Sequence, residues 1–266
     1  MNFSDLIMTH IASNSDVTIM AEFLVFFAIA GISISAFSNR FFFGNENMDS
    51  DALFETVEKS IFAFLVFLLA ITLGDVRANF SKAQDSVVNE TLELRQYLFL
   101  LDLQTNSFTE NQKRHLNTYM KAVVSDEWRS LAQADPTLSP KTDQAVLDLR
   151  HSVQQQIQEA DVSSYMDRIL ASLGKLENSR QLRYQLATAS SPRIFWLYIA
   201  ILMLLGSVMA GRTKLDMRRA GVLGAYFGAL GMVVALIMIL DQPFRGETSV
   251  SSEPFRRVIE QMAIAN

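Results

Sequence analysis

SIFAFLVFLLAITLGDVRANFSKAQDSVVNE, Ser60 to Glu90, begins with the composition of a membrane-crossing helix and ends with that of a water-facing one. No Pro interrupts it, and its one Gly is Gly74. Ser50 or Asp51 can cap its start, Glu55 lies in its first turn, and no breaker follows before about Leu103. The stretch therefore predicts one unbroken rod that leaves the bilayer without stopping.

A helix needs about 20 mostly apolar residues to cross roughly 30 Å of hydrocarbon. Four segments meet or approach that length: Ile19–Ser38, Ser60–Val76, Ile194–Ala210 and Ala220–Leu240. The fold class expected is all-α, an integral membrane protein with four transmembrane helices and a helical extramembrane domain. The chain divides into an N-terminal segment (1–17), a first span (18–38), a second span (58–76) continuing as a water-facing helix, and a helical domain (77–190). A third span (193–211), a fourth (219–240) and a tail (241–266) complete it. Met1–Val17 has no Lys or Arg, and the apolar run after it exceeds a usual signal-peptide core, so the first span is read as retained. Phe3, Leu6, Ile7 and Ile11 can form one face of an interfacial helix, or the segment is a frayed terminus.

Phe41–Phe43 look like an interfacial aromatic anchor, and Gly44-Asn45 break the helix after them. In the polar block, Asn106-Ser107 end the long rod. Thr109 with Gln112 reads as a capping box opening a helix to about Ala134. Pro140 suits the first turn of a helix to about Glu159, and another runs from near Ser163 to about Ala189. Tyr97, Leu101, Leu116, Tyr119, Val123, Trp128, Leu131, Val146, Leu149, Val153, Ile157, Ile169, Leu173 and Leu176 recur at helical spacing, the pattern of a bundle core. The third and fourth spans, joined by GRTKLDMRRA, form an antiparallel hairpin. Ala220, Gly224 and Gly228, with Gly221 and Gly231 nearby, provide a small-residue packing face.

With four spans, both termini and the helical domain share one side of the membrane. Arg212, Lys214, Arg218 and Arg219 in the short loop argue for that loop being cytoplasmic. Arg77, Lys82, Arg95, Arg180, Arg183 and Arg193, flanking the helical domain near the membrane, argue the reverse.

The chain has no Cys, so disulfides and thiolate chemistry are excluded. Its net charge of −5 is spread out and offers no basic stripe for nucleic acid. His10, His115 and His151 are scattered without acidic or hydroxyl partners at useful spacing, and no HExxH, phosphate loop or GxSxG occurs. No catalytic residue, metal site or cofactor is expected, and the chain does not read as an enzyme. Polar residues in the spans are few: Glu22 and Asp75 near span ends, Ser33, Ser35, Thr72 and Asn79. A channel needs no mid-membrane charge, because apolar rings gate by dewetting.

Four packed helices leave no hole, so a pore requires several copies around an axis. At about 100° per residue, Ser60, Ala63, Phe64, Phe67, Ile71, Gly74 and Ala78 share one side of the second span. The stripe continues through Ser81, Lys82 and Asp85. It runs from polar to an apolar constriction, then to small and charged residues. Alternatively, Phe62, Phe64 and Phe67 face lipid or neighbouring helices.

Two stretches resemble the bestrophin channels. Their second span carries a Gly-Phe pair, then Arg and an aromatic eight residues on, with apolar neck positions four and eight before the Phe. Ala70-Ile71 stands at the first pair, Asn79-Phe80 at the second, and Ala63 and Phe67 at the neck positions. Asp241-Gln-Pro243-Phe244-Arg-Gly246-Glu247 looks like the Asn-Pro-Phe-Gly-Glu tail motif with Arg245 inserted. The bacterial bestrophin-like family, long catalogued as a domain of unknown function, is closer still. Ser86–Leu92, Leu240–Gly246, Val250-Ser251, Pro254-Phe255 and Pro192 are similar to its motifs.

That resemblance implies a homopentamer in the bacterial inner membrane, with termini and helical domain in the cytoplasm and the second span lining the pore. Its partners would be the lipid bilayer, further copies of itself and small inorganic ions. The neck would be Ala63, Phe67 and Ile71. Ala70 replaces the family Gly and Asn79 the Arg, which changes neck width and mouth charge. The acidic run that binds calcium in animal relatives is missing after Gly246, so calcium gating is not expected. Phe ring edges would suit anions such as chloride, whereas rings of Asp85 would suit cations. A non-conducting scaffold or sensor binding a partner protein, and a transporter, are the competing readings.

Overall fold

The computed structural model describes residues 14–43, 52–104, 106–133, 135–159 and 164–265. The proposed interfacial face of Phe3, Leu6, Ile7 and Ile11 lies outside them, as do Gly44-Asn45 and the caps Ser50 and Asp51. Every regular element among the described residues is helical. In order they are α1 (Asp16–Phe41), α2 (Ala52–Asp102), α3 (Ser107–Ala122), a π turn (Val123–Glu127) and α4 (Trp128–Leu131). Then come α5 (Pro140–Glu159), α6 (Ser164–Thr188), α7 (Arg193–Ala210), α8 (Met217–Leu240) and α9 (Glu253–Ala265).

Four helical stretches are long and apolar enough to cross a membrane: α1, α2, α8, and one within Ser164–Ala210 whose apolar part is α7. The chain is an all-α integral membrane protein. Among the described residues, contacts define two units, one within 14–78 and 190–241 and the other within 79–189 and 242–265. The 51-residue α2 belongs to both.

In the first unit, α1 packs extensively on α8 and also on α7. The closest backbone approach of α8 is thus to α1, rather than to its hairpin neighbour α7. Small residues make this possible. A Cβ on Gly31 would lie 2.4 Å from the Phe227 ring, so a side chain there would displace the ring. Gly224, Gly228 and Gly231 face Ile32, Leu24 and Phe23 of α1, while Gly221 faces open space and is not part of the packing face. In lipid there is little hydrophobic drive between helices, so such fit and interhelical hydrogen bonds hold them. The bonds are present: Ser35 Oγ donates to Ser207 O (2.8 Å), Ser38 Oγ to Val208 O (2.9 Å) and Asn39 Nδ2 to Gly211 O (2.8 Å).

The second unit is a water-type bundle. Ala83, Val87, Leu94, Tyr97 and Leu101 of α2 pack with Leu116, Tyr119 and Val123, Leu149 and Val153, and Ile169, Leu173 and Leu176. Phe244, Val250, Phe255 and Val258 from the C-terminal segment complete this core. The α3 cap differs from the Thr109–Gln112 expectation. Asn106 is the N-cap: its side chain accepts from Thr109 N (2.9 Å), and Thr109 Oγ1 accepts from Asn106 N (3.1 Å). Asn is a strong N-cap in its own right. That leaves Gln112 free for the core, where it accepts from Tyr97 OH (2.9 Å) and donates to Leu149 O (3.3 Å).

The helix expected to run to about Ala134 continues to Leu131, with a π turn inside it. A π turn inserts one residue and rotates the helix downstream of it. Both of its ends, Val123 and Glu127, are buried.

Candidate functional site

Helix α2 presents two faces. In its apolar half, Leu65 (0% exposed), Leu69 (2%), Thr72 and Val76 are buried against Ile199, Met203, Phe227, Leu230 and Val234. Phe62 joins them, its ring edge-on to Tyr226 and Phe227 at centroid distances of 4.9 and 6.0 Å. Phe62 is therefore a packing residue, unlike the two phenylalanines that come after it.

The opposite face is open. Phe64 (50%), Phe67 (60%) and Ile71 (47%) are exposed, as are Ser60, Ala63, Gly74 and Ala78. In the other unit, Ser81, Lys82 and Asp85 are exposed too. Ser60 Oγ returns to Thr56 O (2.7 Å), and Gly74 has open space where a side chain would stand. An apolar side chain half exposed beside a fully buried one at 0–2% marks a face with an environment of its own.

The tail motif does other work. The Asp241 carboxylate accepts from Ser191 N (3.0 Å) and Ser191 Oγ (2.7 Å), tying the end of α8 to the start of α7. Pro243 O accepts from Val250 N (2.7 Å). The inserted Arg245 is accommodated by a tight turn, its N donating to Gln242 O (3.1 Å), and Gly246 then takes φ 84°, a left-handed value that suits glycine. Phe244 meets Trp128 edge-on (5.6 Å) and Phe255 does the same (5.7 Å). Glu247 is exposed.

A charged cluster that sequence reasoning missed lies in the second unit. Arg183, fully buried, donates through Nε to Glu90 Oε2 (2.7 Å) and through Nη2 to Glu127 Oε1 (2.8 Å). Arg180 pairs with Glu127 and, through Nη1, with Asp143 (2.8 Å). Tyr119 OH donates to Glu90 Oε1 (2.6 Å). The Arg183 guanidinium is 5.1 Å from the Trp128 ring centroid and 5.6 Å from that of Phe255, within cation–π range of both.

Arg180 and Arg183 are thus core residues, not membrane-flanking charges. Burial raises the Glu127 carboxyl, but Arg180 and Arg183 outweigh it and hold the group below its ordinary value. Burial and the Glu90 charge push the Tyr119 phenol well up, so it stays a donor. The overlooked signal was positional: Glu90 falls on the Ala83, Val87, Leu94 stripe, and Arg180 and Arg183 continue the Ile169, Leu173, Leu176 stripe. Among the described residues, no group of three or more His, Asp or Glu converges to hold a metal.

A family model described as a Bestrophin-like domain matches residues 25–255. No curated protein sequence matches the chain. Several solved structures share the fold. A single-substitution variant of a bacterial bestrophin homolog from Klebsiella pneumoniae has a TM-score of 0.69 at 14% identity, covering 95% of this chain and 98% of that one. The same homolog in another crystal structure gives 0.64 at 16% identity, covering 91% and 97%. A structure described only as a membrane protein gives 0.70 at 13% identity, covering 91% and 97%.

Proposed function

Because the chain belongs to the bestrophin-like family, we propose that it is an oligomeric ion channel whose pore is lined by the open face of α2. Copies stand around an axis, five by the family pattern. Ala63, Phe67 and Ile71 form the neck, with Ser60, Phe64, Gly74 and Ala78 at its ends and Ser81, Lys82 and Asp85 in the vestibule. The observation that carries this reading is the contrast on one helix between open Phe64, Phe67 and Ile71 and buried Leu65 and Leu69. A ring of such side chains gates by dewetting. The permeant species is a small inorganic ion, and the positively polarised edges of the Phe rings favour an anion such as chloride. The protein sits in the bacterial inner membrane with its termini and helical unit in the cytoplasm.

The test is ion flux into liposomes holding the full-length protein. Passive flux that rises with Phe67→Ala supports the neck. A folded, reconstituted protein whose flux matches empty liposomes refutes it.

A second reading, a scaffold whose helical unit binds a partner protein, is favoured by Val88, Leu92 and Phe99, an exposed apolar stripe on α2 that Leu103 continues just past its end. Purified protein that runs as a monomer or dimer in detergent would select this reading, since neither encloses an axial pore.

A further inference from the structure

Between α1 and α7 runs an apolar groove of about 620 Å³, walled by Ile34, Phe37, Phe42, Leu204, Leu205 and Val208. Its end abuts the α7–α8 turn. Ser38, a groove residue, donates to Val208 O, and Gly211 is pressed so closely on α1 that a Cβ there would lie 2.8 Å from Ser38 Cβ. The next residue is Arg212. The residue is 5% exposed, its Cζ lies 5.9 Å from the Phe54 ring centroid, and among the described residues neither Nε nor Nη1 has a hydrogen-bond partner. Thr213 beside it is 2% exposed, and its Oγ1 has no partner among the described residues either.

A buried guanidinium without an acceptor is costly, and the acceptor that best repays it is an anion. The described carboxylates nearby do not serve. Glu55 is taken by Lys59 (2.6 Å), Glu58 bonds neither Nε nor Nη1, and Asp216 caps α8 through Arg219 N (2.8 Å). Lys214, Arg218, Arg219 and, at the end of α1, Arg40 make the surroundings basic.

We propose that the groove and the turn bind one anionic phospholipid, an acyl chain lying between α1 and α7 and the headgroup phosphate received by Arg212 and Thr213. Both parts match the occupant. The groove lies on helices that cross a bilayer, where acyl chains surround it. The turn provides buried donors and positive charge where a headgroup begins. The site does not require α2 to line a pore, so it stands or falls separately from the channel.

The test uses full-length protein in detergent, with bound lipid counted by native mass spectrometry after exchange into phosphatidylglycerol or phosphatidylcholine. Phosphatidylglycerol should be retained about fivefold better, the effect of one interfacial cation, and Arg212→Gln should abolish the preference. Leu205→Trp, on the exposed groove wall, should cut retention of both lipids, and it carries the test alone if Arg212→Gln does not fold. Equal retention of the two lipids by the unsubstituted protein would overturn the proposal. So would displacement of the lipid by millimolar inorganic phosphate, since the groove would then contribute nothing. A Leu205→Trp variant that changes oligomer size with lipid retention intact would also overturn it, by showing that a second copy covers the groove.

Discussion

Leu65 and Glu90 lie on the same stripe of α2 and both are fully buried, yet they are held by opposite means. Leu65 is surrounded by apolar side chains whose fit depends on shape. Glu90 is surrounded by Arg183 and Tyr119, whose fit depends on charge and donor direction. One helix thus serves two solvents. In lipid, apolar groups gain little by leaving their surroundings, and packing decides. In water, the apolar core supplies the drive, and a buried ion cluster adds a geometric requirement that few alternative packings can meet.

The sharpest way to break this contrast is Arg183→Ala. It leaves two buried carboxylates short of a counter-charge and should cost about 3–5 kcal/mol. Trp128 fluorescence during denaturant unfolding of the full-length protein in detergent reads it, and a loss under about 1 kcal/mol would show that the cluster does not hold the unit. Next comes the pair on the apolar half. Leu65→Ala should lose about 2–5 kcal/mol, whereas Phe67→Ala on the open face should alter ion flux with stability close to unchanged. Equal losses in thermal unfolding would mean that the two faces are not distinct.

Gly31→Val should lower stability by about 1–3 kcal/mol through overpacking on Phe227, and an unchanged melting temperature would contradict the close approach. Asn106→Ala should cost about 1 kcal/mol through loss of the α3 cap, read from the same denaturant curves.

The pH response should be smallest near neutrality. Glu127 has a lowered carboxyl in the folded state, so its stabilising contribution is complete above the unfolded value of about 4.3. It fades as pH falls from there through the folded value. Unfolding free energies that stay flat down to about pH 3 would count against a charged Glu127.

The spans and the long rod were legible because their signals are local: unbroken apolar runs, the lack of Pro, and a period of about 3.6. The cap at Asn106 was misplaced because Thr109 resembles a cap residue, although its hydroxyl serves at the third helical position. The π turn left no composition signal, and without it Glu127 reads as another surface acid. In sequence, Arg180 and Arg183 look membrane-flanking because charge near a span usually is. The Arg183 partners come from α2 and the π turn, 93 and 56 residues away, and no short window contains them.

The segment that carries Phe244 and Phe255 has a consequence for how the protein is made. The second unit is discontinuous, with its last core residues encoded after α7 and α8. During synthesis the nascent bundle must therefore wait, with Trp128 uncovered on the side those rings will occupy, until two more hydrophobic segments have been threaded into the bilayer. A chain stopped at Leu240 would have every span and an unfinished bundle, an open target for quality-control proteases.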